Sequence, residues 1–421
     1  MKQRMLFLMI AFFAAGCLAG QQAFAQTLTA VFNTLNSPLP DNEVRCISTD
    51  ANGTTWIGTT NGLAAYNGAE WTVYTTGNSP LPENNIRALG IDATGRIWIG
   101  TFSSGLVMFD GNEWQMYNSS SSGLPDNYVK SIAFDNGQKL WLGLSGGLAM
   151  YDGANWMFYS AIGSDVLLNN VNDVVFDPEH HIWVCTVNGG LVTFTKNQQL
   201  YAYKVSNSGV PDNTLLAISA DAQNTKWMTT VVDGLGRFDG LNWHTYQTGN
   251  SGIASNYTTD VCANLYNNDI WIGTSNAGIS IFNPAANLWT TLNADNAGLP
   301  DNHITALCIN GNGTIWAGTK TGGLLQFYQD FTAAPATTNP KLAAGNLFPN
   351  PCNEQICLPP VVPTAPPLTL TVYAATTGRT VLKQQFTQPC TDTACLPGGY
   401  YFAALWQNGQ CIFCQKFYVI H

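Results

Sequence analysis

The stretch NGTTWIGTTNGLAAYNGAEWTVY, residues Asn52 to Tyr74, decides the fold, because relatives of it return six more times along the chain. Its inner tryptophan recurs at Trp56, Trp98, Trp141, Trp183, Trp227, Trp271 and Trp316, at spacings of 42, 43, 42, 44, 44 and 45 residues. Each copy has four short runs with period-two patterning: a first run such as NEVRCIST, a TTWIGT run, a GLAAYNG run and a closing EWTVYTT run. Turn residues such as DANG separate them, so each copy reads as a four-stranded antiparallel sheet. Two residues after the tryptophan stands Gly58, Gly100, Gly143, Gly273 or Gly318, with Cys185 and Thr229 as small substitutes. A small residue there lets neighbouring sheets pack face to face. Four strands in about 43 residues is the signature of a β-propeller blade.

The ends of the repeat region explain each other. The last copy, NGTIWAGTKTGGLLQFYQDF ending at Phe331, lacks the closing aromatic run. The chain before the first copy has one to spare: AVFNTLNSPLP from Ala30 aligns with TVYTTGNSPLP from Thr72. An N-terminal outer strand that completes the last blade removes two open sheet edges at once. The expected fold is all-β: a seven-bladed β-propeller closed by an N-terminal outer strand, over 26–331, followed by a small C-terminal β-sandwich.

Residues 1–25 read as a signal peptide. Lys2 and Arg4 precede the apolar run MLFLMIAFFAAGCLAG, and Ala23-Phe24-Ala25 offers small residues before Gln26. AAGC at Ala14 to Cys17 leaves a lipoprotein box open as the rival reading. No later segment approaches about 18 continuous apolar residues, so no transmembrane helix is expected in the mature chain. TAAPATTNP opens a linker over 332–342, and 343–421 carries further alternating runs that suggest the β-sandwich.

The repeat LPDNEVRCISTDANGTTWIGTTNGLAAYNGAEWTVYTTGNS resembles the two-component regulator propeller repeat, with LPDN, WIGT and an aromatic-Asp/Asn-Gly element recurring in register. That family forms periplasmic sensor portions of hybrid histidine kinases, and the resemblance implies a ligand-binding propeller. The tail resembles the C-terminal sorting domain of type IX secretion. The matching elements are Asn350-Pro351, Tyr373 with Thr377-Gly378-Arg379, Gly398-Gly399-Tyr400-Tyr401 and the final Lys416 to Ile420. It departs in Ala374-Ala375 and in its cysteines. The resemblance implies the type IX machinery as a partner and an extracellular or outer-membrane surface location.

Charged residues are only 10% of the chain, against ~25% in an average protein. The net charge of −10 and the lack of a basic run argue against nucleic acid. Cys46, Cys185, Cys262 and Cys308 sit singly in propeller strands and read as small buried hydrophobes. Cys352, Cys357, Cys390, Cys395, Cys411 and Cys414 fall in the tail, where disulfides are the first reading, of open connectivity, and zinc the second. His180-His181 does not suggest a metal, since adjacent strand residues point to opposite faces. STDANGTTW nearly matches the Asp-box of sialidase-type propellers, which is a structural turn. No phosphate loop, G-x-S-x-G or H-E-x-x-H occurs, and no cofactor is expected.

One position is asparagine in all seven copies: Asn42, Asn84, Asn127, Asn169, Asn213, Asn256 and Asn302. An Asx-type turn is the plain reading, and a ring of amides at the channel mouth the sharper one. Three residues on, the copies diverge into Arg45, Arg87, Lys130, Asn172, Leu216, Thr259 and Thr305. Just before that position come Glu43, Asn85, Tyr128, Asn170, Thr214, Tyr257 and His303. Scaffold positions repeat, whereas positions that differ are free to serve a ligand. The candidate ligand-binding residues are therefore Arg45, Arg87, Lys130, Tyr128, Tyr257 and His303, with the three cations suited to a carboxylated or sulfated group. The function expected is non-catalytic binding of a glycan or a surface protein. The alternatives are a propeller-fold lyase or other glycan-active enzyme, and an adhesin without a small ligand.

Overall fold

The computed structural model describes residues 26–160, 168–194, 200–265, 267–310 and 313–329, and in the tail the backbone of several strands. The expected signal peptide, over 1–25, and the expected linker, over 332–342, lie outside the described residues. The first strand, β1 (Gln26–Phe32), stands alone in sequence. Then β2 (Val44–Thr49), β3 (Thr55–Thr59), β4 (Gly62–Tyr66) and β5 (Trp71–Tyr74) form one antiparallel sheet in sequential order. Five more sheets of the same order follow, with first strands Ile86–Ile91, Val129–Phe134, Val171–Phe176, Leu215–Ala220 and Thr258–Ala263. The seventh has Ile304–Ile309, Ile315–Thr319 and Leu324–Gln329, and its outermost strand is β1. The seven-bladed ring and its closure by the N-terminal strand are as the sequence predicts.

The closure is well packed. Along it Gln26 pairs with Gln329 and Phe32 with Leu324, with a bulge between Leu28 and Ala30. Phe32 stacks among Tyr66, Trp71 and Trp316, so the added strand also bridges to the first blade. Successive blades bury the second strand on both faces, which is why TWIGT and IWIGT run as continuous buried segments rather than alternating.

The small residue after each tryptophan marks the contact between blades. A Cβ on Gly100 would lie 2.7 Å from Val129 of the next blade, and one on Gly318 would lie 2.6 Å from Val44 across the closing seam. Both distances are shorter than van der Waals contact, so only glycine admits the neighbouring sheet at that spacing.

Asp50, Asp92, Asp135, Asp177 and Asp221 organise the turn before the second strand. One carboxylate oxygen accepts turn N–H groups, and the other accepts the tryptophan indole N–H at 2.9–3.3 Å. The Asp-box-like segment is thus a structural turn.

In the tail, Leu368–Ala374, Thr380–Phe386, Gly399–Gln407 and Gln410–Val419 belong to one four-stranded sheet, and Gln355–Cys357 pairs with Cys390–Asp392. That register sets Cys357 opposite Cys390. Disulfide connectivity lies outside the described residues.

Candidate functional site

Two sets of loops share one rim. The main-chain carbonyls of Glu43, Asn85, Tyr128, Asn170, Tyr257 and His303 accept N–H groups from the hairpin between second and third strands of their own blades. The asparagine ring proves structural. Six of its seven side chains accept a main-chain N–H eight residues upstream: Asn42 from Thr34, Asn84 from Thr76, Asn127 from Ser119, Asn213 from Val205, Asn256 from Thr248 and Asn302 from Ala294. These amides fasten the incoming loop and are not displayed to a ligand. Their carbonyls serve as well, since Gly323 donates to Asn42 at 3.2 Å and so links the seventh blade to the first.

The variable position has a structural identity that the sequence does not reveal. In six blades the pairing of first and second strands skips one residue: Arg45, Arg87, Lys130, Asn172, Thr259 and Thr305. In the fifth blade it skips Leu216 and Ala217. A bulge re-aims the extra side chain without disturbing the ladder beyond it. Here three of the freed side chains bond forward to the next blade. Lys130 donates from Nζ to Asn172 Oδ1 at 3.1 Å and to Asn170 Oδ1, Asn172 donates to the Leu215 carbonyl at 2.8 Å, and Thr305 donates to the Val44 carbonyl.

The structure brings together Arg45, Arg87, Lys130 and Tyr128. Arg87 lies over the Tyr128 ring at 5.5 Å from its centroid, and Lys130 approaches the same ring at 5.3 Å. Phe102 packs on Tyr128 with centroids 4.7 Å apart, and Phe102 is itself 45% exposed. Burial, and then the charge of Arg87, hold the Arg45 and Lys130 pKa values below their usual ranges.

The three cations are not equivalent. Arg45 pairs with Glu43 at 2.8 Å, and Glu43 also holds Lys320 at 2.6 Å across the closing seam. Lys130 is held by its two asparagines. Among the described residues Arg87 has no acidic partner, and beside it the buried Oδ1 of Asn85 accepts no hydrogen bond. Asn85 and Phe102 thus join the arc through a main-chain bond between them, Phe102 N–H to the Asn85 carbonyl at 3.1 Å. Phe102 sits in a hairpin whose sequence varies freely, so pattern reading had no signal for it.

Tyr257 and His303 stand at the equivalent position in the sixth and seventh blades. Tyr257, half-exposed, lines a shallow hollow of about 270 Å³ with Thr248, Ser255 and Asn276. His303 is fixed through its backbone, which donates to Asp301 at 2.8 Å and accepts from Lys320.

One residue beyond the bulge, Asp173 and Asp260 join neighbouring blades. Asp173 accepts from Ser131, Val174 and Ile218, and Asp260 from Val261 and Leu307. These carboxylates cap N–H groups on the inner edges of the fourth to seventh sheets, which have no further strand to pair with there. Burial raises the Asp260 pKa to about 7 against the N–H of Leu307, and the charge of Asp173 adds to the rise. Of the propeller cysteines expected to be buried, Cys185 is buried, while Cys46, Cys262 and Cys308 are partly buried.

Comparison with known proteins fits this geometry. The family model described as "Two component regulator propeller" matches residues 38–61, 80–103 and 298–321. No curated protein matches the sequence. The extracellular domain of a hybrid two-component system from B. thetaiotaomicron is similar in structure, with a TM-score of 0.62 at 17% identity, over 94% of this chain and 57% of that one. PorZ, a surface component of the type-IX secretion system of Porphyromonas gingivalis, gives 0.57 at 17%, over 94% of this chain and 61% of that one. Virginiamycin B lyase from Staphylococcus aureus gives 0.57 at 14%, over 72% of this chain and 99% of that one. The chain spans less than two thirds of the length of the first two. At these identities the likeness is one of fold. The chain is therefore a seven-bladed propeller with three segments that match the two-component regulator propeller repeat.

Proposed function

We propose that this chain is a non-catalytic, exported binding module that takes an anionic group of a glycan or protein partner on the arc of Arg45, Arg87, Lys130 and Tyr128. The observation that carries the reading is the state of Arg87. Its guanidinium lies on an aromatic face at the rim, with other cations near and no carboxylate to pair with among the described residues. A fixed guanidinium fork is suited to a carboxylate or sulfate, and partial burial strengthens the pairing. In this reading the N-terminal segment directs export. The tail is a type IX sorting domain with a sandwich fold, and it brings the propeller to the outer surface. Likeness to extracellular and surface propellers supports that location.

The test is binding of the full-length chain to an array of acidic and neutral glycans and of acidic proteins, with Arg87→Ala beside it. Binding to acidic members that the variant loses is the expected result. Binding that the variant keeps would move the site elsewhere. Turnover of a bound member, seen as product release, would favour the lyase alternative.

A further inference from the structure

The sixth blade lacks a group that the fold supplies elsewhere. In three blades an acid one residue before the ring asparagine caps the hairpin of its own blade. Glu83 Oε2 accepts the N–H groups of Ser103 and Ser104 at 2.8 and 3.0 Å, Asp126 Oδ2 that of Gly146 at 2.7 Å, and Asp301 Oδ2 that of Thr321 at 2.8 Å. Ser103, Gly146 and Thr321 each lie five residues after the tryptophan of their blade. In the sixth blade Ser255 stands at the position of the acid and Asn276 at that of the hairpin residue. Serine is too short for the same reach. Its Oγ accepts the N–H of Tyr257 at 3.0 Å, and the N–H of Asn276 has no partner among the described residues. The space left beside them is the hollow of about 270 Å³. Such a place holds a carboxylate well. Burial opposes the charge of Asp301, but the N–H groups of His303 and Thr321 and the Thr321 hydroxyl outweigh it and hold its pKa below the usual range.

The rest of the hollow selects what carries that carboxylate. Tyr257 is half-exposed on its wall. Thr248 and Asn276 are exposed beside it, and the hydroxyl of one and the side-chain amide of the other have no partner among the described residues. An exposed aromatic face gains by being covered with a flat, partly apolar ligand. Free hydroxyl and amide groups next to it favour a ligand edged with hydroxyls. A pyranose ring that bears a carboxylate meets all three conditions. The acidic side chain of a peptide brings the carboxylate but neither the ring nor the hydroxyls. We propose that the sixth blade carries a separate site for a uronic sugar. The sugar carboxylate takes the place that Asp126 and Asp301 fill in their own blades and accepts the N–H of Asn276, while the sugar ring covers Tyr257. The site shares no residue with the Arg87 arc, so it stands apart from the reading above.

The probe is galacturonate, titrated into the full-length chain by calorimetry, with galactose and N-acetylaspartate amide in parallel. Galacturonate is expected to bind, and galactose to bind at least about tenfold more weakly, the scale of a lost charge-assisted hydrogen bond. N-acetylaspartate amide should also be the weaker ligand. The decisive variant is Ser255→Asp, which gives the sixth blade the carboxylate of its neighbours. It should abolish this binding and raise the melting temperature, because the new carboxylate takes the Asn276 N–H for itself. Repulsion of an anion alone would not stabilise the fold. Tyr257→Ala should weaken galacturonate by about threefold or more, and circular dichroism melts separate that loss from unfolding. Equal binding of galactose and galacturonate overturns the proposal, and so does binding that survives Ser255→Asp. Binding that is lost in Arg87→Ala and kept in Ser255→Asp overturns it while supporting the arc. N-acetylaspartate amide bound as tightly as galacturonate overturns the choice of a sugar, and no binding of galacturonate overturns the site.

Discussion

Trp98 donates its indole N–H to Asp92 Oδ2 at 3.0 Å, while Asp92 Oδ1 accepts from Thr94 and Arg96. One carboxylate therefore ties the turn to the buried ring of the strand that follows. Burial opposes its ionisation, but hydrogen bonds from Thr94, Trp98 and Arg96 outweigh burial and bring its pKa to about 2. Asp92→Ala should cost about 2–3 kcal/mol, since it leaves buried donors without an acceptor. The Asp92 contribution is complete above the unfolded value of 3.8 and is lost as pH falls through about 2. Urea melts of wild type and variant between pH 2 and pH 6, on the order of one pH unit apart, should show the difference shrinking only at the acid end.

In the last two blades the aspartate is replaced by Asn264 and Asn310, and the indole nitrogens of Trp271 and Trp316 lack a partner. Asn310 Oδ1 already accepts the Thr314 N–H at 2.9 Å, as the aspartates do in other blades. Asn310→Asp should supply the second acceptor and stabilise the fold by about 1 kcal/mol at neutral pH. A melting temperature equal to or below that of the wild type would refute this account of the turn.

Asp260 gives the ring an opposite pH response. Its folded pKa of about 7 lies above the unfolded 3.8, so the folded protein holds that proton more tightly. Stability from this group is therefore greatest below the unfolded value and declines as pH rises toward 7. Asp260→Asn should flatten that decline, at the loss of one acceptor for the N–H groups of Val261 and Leu307. Chemical denaturation at a series of pH values between these limits measures it.

Ring closure can be broken at its seam. Removal of residues 28–34 strips most of β1 from Leu324–Gln329 and exposes a strand edge. The shortened chain should aggregate on size-exclusion chromatography. A soluble product of unchanged stability would show that the N-terminal strand does not close the ring. The milder Phe32→Ala should cost about 3 kcal/mol, because it empties a site among three aromatic rings.

The sequence carried the scaffold because the scaffold repeats. Trp56 and its six counterparts, the small residues two positions later and the spare strand at Ala30 each solve the same packing problem in every blade. Repetition makes that solution visible without coordinates. It also showed where the copies differ, and so pointed to Arg45, Arg87, Lys130 and Tyr128. Tyr257 and His303 occupy the equivalent position in other blades, where Tyr257 lines a hollow of its own and His303 is bonded through its backbone to Asp301 and Lys320. Membership of an equivalent position fixes height on the rim and not proximity across it.

What the sequence determined by itself is therefore the blade, the number of blades and the closure, all set by local periodicity and by the need to bury sheet edges. Only the tertiary structure decided which cation is available. Glu43, two residues from Arg45, also takes Lys320 from the far end of the repeat sequence, across the closing seam, and Asn170 and Asn172 of the next blade occupy Lys130. Arg87 is left with an aromatic face. Those partners are brought together by the circular arrangement of blades, so no window of sequence could have ranked three similar cations.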